Sequence, residues 1–148
     1  MKKVLYNFKA FTLVEILIVV ALFGAIVSIG VPLTQSALTG SELDTAAEIS
    51  LKNLKTAQAL AQAVKDDSQW GVRFSGNSVI QFKGSSYATR DQAYDAVVNL
   101  GVKTVFTGLG EVVFTKVSGM PSQTGTITIT NQDRVITITV AANGAMYY

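Results

Sequence analysis

The chain has 148 residues, enough for one domain with a real core. Hydrophobic residues make up 49%, charged residues 15%, and the net charge is +2. There is no Cys and no His, which excludes disulfides, thiolate metal sites and histidine-based catalysis.

Charge and hydropathy are unevenly placed. Lys2, Lys3 and Lys9 precede a strongly apolar run, and without residues 1–10 the count is nine basic against ten acidic. Residues 66–148 carry six of each sign, so a broad basic footprint for nucleic acid is missing. Residues 11–33 read FTLVEILIVVALFGAIVSIGVPL. As a helix they would reach roughly 34 Å at about 1.5 Å per residue, against a bilayer core of about 30 Å. The plain reading is a membrane anchor with the lysines keeping the N-terminus cytoplasmic. A secretory signal peptide fits less well, because the run is too long and no A-x-A-like site follows it closely.

Two residues do not suit a plain anchor. Glu15 places a carboxylate in hydrocarbon, at a cost of about 3 kcal/mol unless it is paired or protonated. Pro32 removes a helical hydrogen bond at a cost of about 3 kcal/mol. Gly24 and Gly30 weaken the same stretch.

A short basic leader, a small residue, Phe-Thr-Leu-Val-Glu and then about twenty apolar residues resembles the class III signal of type IV prepilins and pseudopilins; here it reads KA, then FTLVEILIVV. The resemblance implies cleavage by prepilin peptidase between Ala10 and Phe11, with N-methylation of Phe11. Ala10 stands where the family usually has Gly. Glu15 becomes the fifth residue after the cut, and its implied role is to pair with the new amino terminus of a neighbouring subunit. An unpaired charge is costly in that low-dielectric setting, so the pair would fix axial register. Gly24, Gly30 and Pro32 correspond to a stretch that loses helical bonding when such filaments assemble.

Residues 41–65 carry Leu43, Ala47, Leu51, Leu54, Ala57, Ala61 and Val64 at three- and four-residue intervals, the pattern of an amphipathic helix. Glu48 precedes Lys52 by four, a favourable intrahelical order. Ser41 with Asp44 resembles a capping box. The helix either starts afresh there or continues the apolar one.

From Trp70 the period changes to two. Trp70, Val72 and Phe74 alternate with polar residues, as do Ile80 and Phe82 after the Gly76-Asn77 turn. Trp70, Phe74 and Phe82 are expected in the core. Val102–Phe106, Glu111–Val117, Thr126–Thr130 and Val135–Val140 predict further strands, and Asn143-Gly144 predicts a hairpin leading to a short strand within Ala145–Tyr148. Arg90–Asn99 predicts one or two helical turns, or a loop. The segments SQWGVRFSGNSVIQF, GEVVFTKVSGMPSQTGTITIT and ITVAANGAMYY resemble the globular domain of H-type pseudopilins and related minor pilins. That resemblance implies a β-sandwich-like head with a variable loop at residues 84–101.

The expected fold class is α+β: a long N-terminal α-helix packed on a C-terminal antiparallel β-sheet or β-sandwich-like head. The expected division is a leader at 1–10, a transmembrane and assembly helix at 11–33, an amphipathic helix at 34–66 and the head at 67–148. Asp66, Asp67 and Asp91 match no calcium-loop spacing, and no catalytic residue, cofactor or metal is expected. The expected function is a structural one, as a pilin or pseudopilin of the minor kind, with the major subunit as an alternative. The implied partners are other subunits, prepilin peptidase and an inner-membrane assembly platform. The precursor is expected in the bacterial cytoplasmic membrane with its head outside, and the assembled filament is extracellular or periplasmic. A different reading makes the head a DNA- or surface-binding module using Arg73, Lys83, Arg90 or Lys103.

Overall fold

The computed structural model describes residues 11–101, 104–131 and 134–148, with the side chains of 27–41 excepted. It is α+β. Helix α1, Leu13–Gln62, is followed by a 3-10 turn, Lys65–Asp67, and eight strands. The chain divides into two compact units, Met1–Leu38 and Thr39–Tyr148. The leader, 1–10, lies outside the described residues.

In the first unit α1 runs through Gly24, Gly30 and Pro32 with no interruption in its assignment, and it continues past Ser41 into the second unit. Ser41 therefore starts no new helix, and Asp44 has another use: its carboxylate accepts from Arg134 at 3.2 Å.

In the second unit, strands β1 (Trp70–Ser75), β2 (Ser78–Lys83), β3 (Asp91–Asn99) and β5 (Glu111–Phe114) form an antiparallel sheet in the order β3-β2-β1-β5. Strands β4 (Val105–Gly108), β6 (Gly125–Thr130), β7 (Val135–Val140) and β8 (Met146–Tyr147) form the second, in the order β4-β6-β7-β8. One core joins both sheets to α1. Leu43, Ala47, Leu54, Ala57 and Ala61 of the helix meet Trp70, Val72, Phe74, Val79, Val112 and Phe114 of one sheet and Ile127, Ile129, Ile138 and Val140 of the other. The helix positions are spaced by three and four residues, so they form one stripe, and its alanines let the backbone approach the sheets closely. Ser50 falls on the same stripe, and its hydroxyl donates to the Ala46 carbonyl at 2.7 Å.

Four expectations need correction. Residues 91–99 are a nine-residue strand, not helical turns or a loop. Their sequence, DQAYDAVVN, has modest strand propensity. The ladder from Ser78↔Asn99 to Lys83↔Asp91 supplies the hydrogen bonds. Second, Ile80 and Phe82 lie on the opposite face of the sheet from Val72 and Phe74. In the ladder, Phe74 and Val72 pair with Val79 and Gln81, whereas Phe82 opposes Gly71 on the outer face. Phe82 is still fully buried, with Tyr87 packed edge-on at 5.7 Å. Gly71 is required beneath it, because a Cβ there would lie 2.6 Å from the ring. Third, Glu48 and Lys52 form no ion pair with each other. Fourth, Glu111–Val117 is strand only to Phe114; Val117 sits in a turn with φ 73°. In the strand expected at Val102–Phe106, Val102 and Lys103 lie outside the described residues.

That turn closes the C-terminal end of α1. The Val117 amide donates to the Ala61 carbonyl at 3.1 Å, and the Val64 amide donates to the same oxygen. Gln58 reaches across from the helix, donating to the Gly119 and Gly144 carbonyls at 3.1 and 3.0 Å. Carbonyls orphaned at the helix end and in two turns thus find donors.

Candidate functional site

The N-terminal turn of α1 is built by Thr12. Its carbonyl accepts from the Glu15 and Ile16 amides at 3.1 and 3.3 Å. Its hydroxyl also accepts from the Glu15 amide at 3.3 Å. Thr12 is the N-cap and Glu15 the third helical residue, the Ser/Thr-x-x-Glu spacing of a capping box. A carboxylate in the first turn is also favoured by the positive end of the helix dipole, by about 0.3–1 kcal/mol. The sequence shows the same spacing in Thr12-Leu13-Val14-Glu15.

Around Glu15 the helix is apolar on every side. Phe11 and Leu13 are 76% and 77% exposed. Val14, Ile16, Leu17, Ile18, Val20, Leu22, Phe23 and Ile26 are exposed too. A helix hydrophobic all round must be covered by lipid or by other protein. At Gly24 a Cβ would meet nothing within 4 Å. Of Gly30 and Pro32 only the helical backbone is described. Ala10 lies outside the described residues. Among the described residues no helix is long and apolar enough to cross a membrane; the apolar stretch itself continues to Leu33, past the last side chain described there.

A family model for the prokaryotic N-terminal methylation motif matches residues 5–31. The chain carries the class III prepilin signal. That signal supports a type IV pilin or pseudopilin subunit and implies a membrane-anchored precursor, prepilin peptidase processing and assembly with other pilin subunits. Proteins with this prepilin motif are structural subunits rather than enzymes. No solved structure matches the chain.

The described basic residues of the β-rich unit are not gathered into one patch. Arg73 and Arg90 share the outer face of the first sheet, both over the Tyr87 ring, at 5.6 and 3.8 Å from its centre. Each has an acidic neighbour. Arg73 lies 3.5 Å from Glu111, and Arg90 Nε donates to Asp95 at 2.8 Å. Arg90 Nη1 also donates to the Tyr87 carbonyl at 2.9 Å. These contacts hold the 84–90 loop over Phe82. Lys83 is elsewhere, on the face it shares with Trp70, its Nζ 4.0 Å from the centre of the Tyr94 ring. Lys103 lies outside the described residues. Among the acidic candidates, Asp67 binds Lys116 at 2.7 Å, and Asp91 accepts from the Ala93 amide at 3.2 Å. Among the described residues no cluster of acidic side chains could hold a metal ion.

Proposed function

We propose that the chain is a structural subunit of a type IV pilus-like filament, a pilin or pseudopilin of the minor kind. Prepilin peptidase cuts between Ala10 and Phe11, Phe11 is N-methylated, and the subunit polymerises through its N-terminal helix. The precursor sits in the bacterial cytoplasmic membrane with residues 67–148 outside, and an inner-membrane platform adds it to an extracellular or periplasmic filament. The observation that carries this reading is Glu15, an acid in the first turn of a helix whose other side chains from Leu13 to Ile26 are exposed and apolar. Cleavage would leave a free amine on Phe11, four residues before it. Buried among neighbouring subunits, that amine and a Glu15 carboxylate satisfy one another where either alone would be costly. Gly24, Gly30 and Pro32 supply a stretch of α1 with weak helical bonding, which lowers the cost of unwinding during assembly.

The test is Glu15→Val expressed beside the wild-type chain. The expected result is normal removal of the leader with incorporation into filaments reduced at least about tenfold, since breaking a buried pair costs about 3–5 kcal/mol. Normal incorporation would remove the counter-charge role. The DNA-binding alternative gains no specific support, because Arg73 and Arg90 already face carboxylates.

A further inference from the structure

No further inference is drawn: the strongest candidate, the outer face of the second sheet, where Thr107, Thr128 and Thr137 lie side by side and Thr126 faces Thr139, carries nothing, because no feature of the structure shows what covers it.

Discussion

At the scale of single residues, Glu15 and Asp67 show how differently a carboxylate can be held. Glu15 lies among exposed apolar side chains, its backbone amide held by Thr12, and the proposed function gives its carboxylate a partner on another molecule. Asp67 is exposed and already has its partner: the hydrogen bond from Lys116, and then its positive charge, hold the Asp67 carboxyl below its ordinary range. A depressed folded-state pKa means that this contact favours folding above the unfolded carboxylate pKa and fades as pH falls through the folded one. Lys116→Ala should therefore move the Asp67 titration midpoint upward to the ordinary carboxylate range, read by carboxyl-carbon NMR; an unmoved midpoint would contradict the pairing. Glu15 was legible in the sequence because an acid in an apolar run is anomalous without any structure. The partner of Asp67 was not, because 49 residues separate it from Lys116.

Among elements, the end of α1 is the least expected feature. Helices commonly stop on a left-handed glycine, but here Val64, Asp66 and Asp67 all take positive φ, near 50–55°. A β-branched residue in that region is a genuine outlier, so contacts from far along the chain must hold it. Val117 donates to Ala61, Trp70 Nε1 donates to the Lys65 carbonyl at 3.1 Å, and Gln58 bridges two turns. Gln58→Ala would leave the Gly119 and Gly144 carbonyls without that donor. The expected loss is about 1–3 kcal/mol, measured by thermal unfolding of the full chain in detergent micelles; an unchanged midpoint would show that the bridge contributes nothing. Strand β3 has a similar lesson. Its hydrogen bonds come from β2, and its Tyr94 ring packs edge-on to Trp70 at 6.0 Å, so the local sequence DQAYDAVVN reads as loop or helix until the neighbour is known. By contrast, β6 and β7 alternate Thr with Ile, and their strand character was plain from period alone.

For the whole molecule, the two units depend on different surroundings. Thr39–Tyr148 buries its own apolar stripe between two sheets. The described part of Met1–Leu38 buries almost nothing and leaves a continuous hydrophobic helix to be covered by lipid or by copies of itself. That contrast was readable in the sequence as a shift from an unbroken apolar run to three- and two-residue periods, and it is the physical basis of the subunit role proposed above. The most direct measurement is intact mass and N-terminal fragment sequencing of the chain purified from cells that make the filament. The account predicts a mature protein beginning at N-methylated Phe11; a chain that still begins at Met1 would contradict it.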